Sequence, residues 1–215
     1  MVELSDLVPL DRIEAALGEP PKAQRLKTTE RDQILRKNAD DLYGIAASAW
    51  HRLVMAGRFK VNPMQMRDYF EREDPGLARA MEKVIGQPLL KEFGFLRATV
   101  QHAGKTFVVA TSCAAHLYSD ELHMYDIAMA DPRHPLPREA RRSDTQHHRG
   151  FGLLPEVMHN VFAAARERNC SVVTLTAASR PLVEIFSRHG FVVEQNDFAK
   201  KAMGFGMGIP MEATV

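Results

Sequence analysis

The chain has 215 residues, 45% of them hydrophobic and 26% charged, with 28 Lys and Arg set against 27 Asp and Glu for a net charge of +1. That length suits one well-packed core, and the ordinary balance excludes a disordered or fibrous chain. Near-neutral charge gives no footprint for nucleic acid, no apolar run reaches the ~18 residues of a membrane span, and Met1-Val2-Glu3-Leu4-Ser5-Asp6 lacks the form of a signal peptide, so the expected compartment is the cytoplasm.

In chain order, Leu10, Ile13 and Leu17 fall at helical spacing before Gly18, and Pro20-Pro21 then breaks the chain. Residues 1–24 are therefore expected as a short N-terminal helical arm, an appendage to a main domain over 25–215. Residues 28–57 carry a strong helical stripe (Ile34, Leu35, Leu42, Ile45, Trp50, Leu53), and 63–73 and 76–85 read as further helices. Their Met64, Met66, Tyr69 and Phe70 suit core packing or an adaptable apolar wall. Residues 95–101 and 105–113 flank His102-Ala103-Gly104, the pattern of a β-hairpin, and 122–130 form the next strand. Cys113 and Cys170 are too few for a disulfide framework and read as small buried residues.

After that strand comes His147-His148-Arg149-Gly150-Phe151-Gly152-Leu153-Leu154, a glycine turn that opens an amphipathic helix over 156–168. The first amides of a helix lack intrahelical partners and lie at the positive end of its dipole, so a strand, a glycine turn and a helix make an anion site. Residues 171–176 form a β-branched strand, 179–189 a helix closed by Gly190, and 191–194 a further strand. The glycine-bearing tail over 201–210 is read as a last strand. The crossover through 156–168 makes its two flanking strands parallel, which gives an α+β fold with a central mixed sheet of about six or seven strands flanked by helices.

Two motifs resemble the GNAT superfamily of acetyltransferases. Its acyl-coenzyme A loop, (Gln/Arg)-x-x-Gly-x-(Gly/Ala) after the fourth strand, is similar to His147-x-x-Gly150-x-Gly152, with His147 departing from the first position. Its Tyr-x-x-x-Gly-Phe helix end is similar to Phe186-Ser187-Arg188-His189-Gly190-Phe191, with Phe186 in place of Tyr. The resemblance implies acetyl-coenzyme A, or another acyl-coenzyme A, as donor and an amine as acceptor, with direct transfer. It assigns pantetheine contacts to the backbone of Ile127, Ala128 and Met129, and nucleotide contacts to His147, His148, Arg149, Gly150, Phe151, Gly152 and Leu153. Ser179 stands where a cofactor-touching Asn is often found.

An ammonium must lose a proton before it attacks, so a base is needed, and the leaving thiolate gains from an acid. His123 is the first choice as base, on the strand that the resemblance implies carries it, and placed by strict alternation on the face of Tyr125, Ile127 and Met129; Asp126, on the opposite face, and Glu121 are alternatives. Phe186 cannot donate a proton, which leaves Tyr125, Ser187 or a water as the acid. Residues 131–146 form an insertion whose Arg138, Arg141 and Arg142, with Arg149, are either a phosphate-binding cluster or a solvated loop. His134, His147 and His148 lack the companions of a metal site, and none is expected. An acyl carrier protein as long-chain donor and a weakly catalytic binding or regulatory module are the alternatives. The acceptor, a small molecule or a protein, is not legible, and the oligomeric state stays open, a homodimer included.

Overall fold

The computed structural model describes residues 1–26, 83, 86–87, 90–141 and 146–215. The helices expected over 28–57, 63–73 and 76–85 lie outside these residues apart from Lys83, and so does Arg142. The described elements are α1 (Leu10–Leu17), β1 (Lys22–Leu26), β2 (Leu90–His102), β3 (Lys105–Leu117), β4 (Glu121–Met129), a 3-10 turn (Arg138–Ala140), α2 (Leu154–Glu167), β5 (Val172–Ala177), α3 (Arg180–Ser187), β6 (Val192–Val193), α4 (Asp197–Phe205) and β7 (Ile209–Thr214). The strands form one seven-stranded sheet in the order β1-β2-β3-β4-β5-β7-β6. Every neighbouring pair is antiparallel except β4 with β5, as the α2 crossover requires.

β2 and β3 form the expected hairpin, with a two-residue turn at Ala103 and Gly104, both at positive φ. α2 buries Val157, Met158, Val161, Ala164 and Ala165, a single apolar stripe, against the sheet core of Leu122, Met124, Val173 and Leu175.

The N-terminal segment is not an appendage. Leu4, Leu7 and Ile13 are buried to within 1% of complete exclusion from solvent and join that core, each burial stabilising the fold by about 1.5–3 kcal/mol. Leu4 crosses β2 so closely that a Cβ on Gly94 would sit 2.3 Å from its backbone, which only glycine permits. Asn160 donates to the Leu7 carbonyl at 3.0 Å, and Arg168 joins the Val2 and Ala164 carbonyls to a two-pronged pair with Glu92 at 2.6 and 2.7 Å. β1 then extends the sheet across the boundary expected at residues 24 and 25.

The tail also differs from expectation. Asn196 accepts from the Ala199 amide at 2.8 Å and caps α4, so 201–205 are helical and the last strand starts only at Ile209. Residues 197–205 contain no β-branched side chain and are rich in Ala, Lys and Phe or Met, and the helix ends at Gly206 in the left-handed conformation.

A bulge in β4 determines which residues reach the site. The β3–β4 register steps from Cys113↔Asp126 to Ala114↔Met124, leaving Tyr125 as the extra residue. The apolar face is therefore Leu122, Met124, Ile127 and Met129, opposite His116, Ala114, Ser112 and Ala110. Glu121, His123, Asp126 and Ala128 share the other face. Strict alternation had put His123 with Ile127 and Met129, and Asp126 opposite; the extra residue reverses both placements.

Candidate active site

β4 and β5 are paired only from Glu121↔Val172 to Met124↔Leu175, although both strands run on. Beyond Met124 the two part, and the edge of residues 125–129 that turns from β3 toward β5 has no strand partner among the described residues. An extended amide chain laid along that edge meets the backbone of Ile127, Ala128 and Met129, in the manner of an added strand.

The glycine loop lies at the same end of the sheet. Gly150 sits against the last residue of β4, since a Cβ there would come within 3.3 Å of the Met129 carbonyl. Gly152 has φ +77 and open space where a side chain would be. Leu153 precedes α2 without a side-chain cap, and Pro155 occupies its first turn. The amides of Gly152, Leu153 and Leu154 meet no acceptor among the described residues, and with the helix dipole they could hold an anion such as a diphosphate. The residues therefore fit a nucleotide thioester: main-chain donors for phosphate, and an open strand edge for the pantetheine arm.

Other members of the expected set support the loop from behind. His148 sets its ring edge-on against Phe107 at 4.8 Å and bridges to Pro135. The Arg149 backbone is paired on both sides, donating to His134 and accepting from Asp131, each at 2.8 Å, and its side chain is exposed. His147 is exposed while its carbonyl accepts from Leu136 at 2.9 Å. Phe151 packs against the core, and Leu153 is buried. The described part of the insertion, residues 131–141 and 146, is thus pinned beside the glycine turn. Arg141 donates to the Leu136 carbonyl at 3.2 Å, and Arg138 is exposed in the 3-10 turn. Ser179 precedes α3 at the C-terminal end of β5.

Of the candidate bases, His123 is 7% exposed, with Nδ1 2.7 Å from the Thr174 hydroxyl. That hydroxyl also donates to Oε1 of buried Glu121. Asp126 is exposed and accepts from Thr111 at 2.9 Å, and Tyr125, at the bulge, is 53% exposed. Thr174 is a residue that motif matching missed. The available signal was a hydroxyl between Val173 and Leu175 of an apolar strand, on the alternate face from them.

Phe186 lies in the core, with its ring 6.0 Å from that of Phe191, and Phe191 in turn is 5.8 Å from Phe162. Its identity is explained by packing. Neither cysteine is an accessible nucleophile: burial, then the facing Asp126 carboxylate, pushes the Cys113 thiol up to about 12, and burial pushes Cys170 up to about 11. Among the described residues no three His, Cys, Asp or Glu side chains converge to hold a metal, and no helix is long and apolar enough to cross a membrane.

No family model and no curated protein matches the chain. Solved structures that it is similar to include nourseothricin acetyltransferase (16% identity, 57% of this chain and 64% of that one, TM-score 0.35). Others are an acetyltransferase from Bacillus cereus (12%, 73% and 96%, 0.37) and Ard1 from Thermoplasma volcanium (17%, 66% and 80%, 0.34). The chain spans just under two thirds of the nourseothricin enzyme's length. At these values the overlaps carry no weight of their own. The strand order, the single parallel pair that parts, and the glycine turn before α2 give the α+β fold with a central mixed sheet that the resemblance to the GNAT superfamily implies.

Proposed function

We propose that the protein is an acyl-coenzyme A dependent N-acyltransferase, most simply an acetyltransferase, that works by direct transfer to an amine. The observation that carries the reading is the parting of β4 from β5 beyond Met124, beside a glycine turn whose amides meet no acceptor among the described residues.

In this reading the amides from Gly150 to Leu154 hold the diphosphate, and the backbone of residues 127–129 aligns the pantetheine. The donor supplies a thioester-activated acyl group. His123 takes a proton from the attacking amine, the new C–N bond forms at the acyl carbon, and the C–S bond breaks. Tyr125, at the point where the strands separate, returns a proton to the departing sulfur. Asp126 is the second candidate for the base, and its exposure at the mouth suits holding the ammonium before deprotonation. The raised thiol of Cys113 favours direct transfer over an acyl-enzyme.

The test is titration calorimetry with coenzyme A on the wild type and on Gly150→Glu. The wild type is expected to bind, and the variant to lose at least about tenfold in affinity through the added charge, with its circular dichroism spectrum unchanged. Equal binding by a folded variant removes the loop from the site. Running acetyl-coenzyme A against a loaded acyl carrier protein as donor, with the same amine, separates the two donors. Exposed Arg138 and Arg149 are the groups an acidic carrier would meet.

A further inference from the structure

Three buried polar groups meet where β4 and β5 are last held together. Glu121 and His123 lie two residues apart on one face of β4, and Thr174 of β5 stands directly opposite His123. Glu121 and Thr174 are each 3% exposed and His123 7% exposed. The hydrogen bonds run in series: Thr174 Oγ1 donates to Glu121 Oε1, and the same oxygen lies 2.7 Å from His123 Nδ1. Glu121 Oε1 is 3.7 Å from Nδ1, too far for a direct hydrogen bond, so the threonine is interposed.

With Glu121 ionised, the proton count has one solution. A carboxylate only accepts, and a threonine hydroxyl has one proton to give. With that proton committed to Glu121, the Thr174 oxygen can only accept from the ring, so Nδ1 carries the hydrogen. A neutral imidazole with Nδ1 protonated has its lone pair on Nε2.

We propose that Thr174 and Glu121 are positioning residues that hold His123 in the Nδ1–H tautomer and so make Nε2 the proton acceptor. The role as acceptor rests on the N-acyltransferase reading; the tautomer does not. When Nε2 takes the proton from the amine, the positive charge formed on the ring is offset by the Glu121 carboxylate through the polarised threonine hydroxyl, in a setting from which bulk water is excluded. The relay itself gains and loses no proton over the step. One proton passes from the amine nitrogen to Nε2, and the acyl group passes from sulfur to nitrogen.

The bulge supports this arrangement. It places Asp126 on the face of His123, yet Asp126 is occupied by Thr111 from β3 and is exposed. The carboxylate linked to the ring is therefore Glu121, at the closed end of the strand pair. Met124↔Leu175, the last pair before the parting, follows His123↔Thr174 directly, so the relay ends where the mouth begins.

The test uses the full chain labelled with 15N-histidine. Nitrogen shifts and couplings at neutral pH are expected to report Nδ1–H for His123 in the wild type and in Thr174→Ser, and loss of that fixed tautomer in Thr174→Val. Glu121→Gln keeps an acceptor for the threonine and is expected to keep the tautomer while losing the charge. In steady-state assays, Thr174→Val is expected to lower kcat about 10–100-fold with KM for the donor within about twofold, Glu121→Gln to lower it less, and Thr174→Ser to restore it. A wild-type His123 protonated at Nε2, or a Thr174→Val enzyme with wild-type kcat, overturns the relay. A wild type that binds coenzyme A but acylates no amine overturns the N-acyltransferase reading instead, and the nitrogen spectrum then decides the relay alone.

Discussion

Arg133 donates from Nη2 to the carbonyl of Ala16, 117 residues earlier in the chain, at 2.8 Å, tying the 131–146 insertion to the end of α1. Its guanidinium is oriented by Asp131, which takes bonds from Nε at 3.1 Å and Nη2 at 3.2 Å, from the Arg133 amide at 3.0 Å and from His134 at 2.9 Å. Burial alone would raise the Asp131 carboxyl. The hydrogen bonds from Arg133 and His134 outweigh it together and hold the group well below the usual carboxylate range. A depressed folded value means that the stabilisation is complete above the unfolded value, near 4, and is lost as pH falls through the lower folded one. Asp131→Asn is expected to cost about 1–2 kcal/mol at pH 7, a melting-point drop of several degrees, and the gap from wild type should close in strong acid. A gap that stays constant down the pH series would remove the carboxylate's charge from the explanation.

His116 gives a second pH dependence. Its Nε2 is buried without a hydrogen-bond partner among the described residues. Burial first, then the positive charges of Lys91 and Arg168 against the opposing Glu92 and Asp120, lowers its pKa to about 4. The unfolded chain therefore binds a proton near pH 6.5 that the folded chain refuses, so stability is complete above the unfolded value and falls as pH drops toward 4. The ring is only half-buried, which limits the effect to about 1 kcal/mol at pH 5. Urea unfolding of His116→Leu at pH 7 and pH 5 should show a smaller loss than wild type over that interval.

The thiols provide a check on direct transfer. With Cys113 raised to about 12 and Cys170 to about 11, neither forms appreciable thiolate at neutral pH. Ellman's reagent is expected to react with neither in the native protein over minutes and with both in denaturant. Cys113→Ala should keep turnover within about twofold. An acetylated cysteine trapped by rapid quench would replace direct transfer with an acyl-enzyme.

What was legible in the sequence depended on signals that are local. The hairpin turn at Ala103-Gly104, the glycine turn before α2 and the stop at Gly190 each follow from a few adjacent residues whose backbone needs are specific. The bulge was not legible, because the register step past Tyr125 is decided by β3 across the ladder, and one extra residue exchanges both faces of the strand. The N-terminal segment read as an appendage because its partner, the gap over Gly94, lies some ninety residues away in the chain. Thr174 was missed for the same reason: its role exists only opposite His123. In the tail, three glycines masked a helix that Asn196 starts and Gly206 ends.

In the proposed reading, the proton donor to the departing sulfur is a residue of the same bulge. Phe186 sits where a tyrosine acid is found in the resembling family, but its ring is packed 6.0 Å from Phe191 and is 8% exposed. A hydroxyl introduced there by Phe186→Tyr would enter an apolar cluster and cost about 1–3 kcal/mol if unpaired. The variant is therefore expected to melt several degrees lower without turning over faster. Tyr125, the extra residue of the β4 bulge and 53% exposed, is the hydroxyl that the proposed reading uses instead. Tyr125→Phe is expected to lower kcat about 10–100-fold with little change in KM for the donor, because the phenol acts only as the C–S bond breaks. A donor with a more acidic thiol should narrow that loss, since a better leaving group needs less protonation. If Tyr125→Phe turns over normally with every donor, the thiolate leaves unassisted by the bulge. If Phe186→Tyr speeds turnover instead, the α3 position reaches the sulfur in spite of its packing.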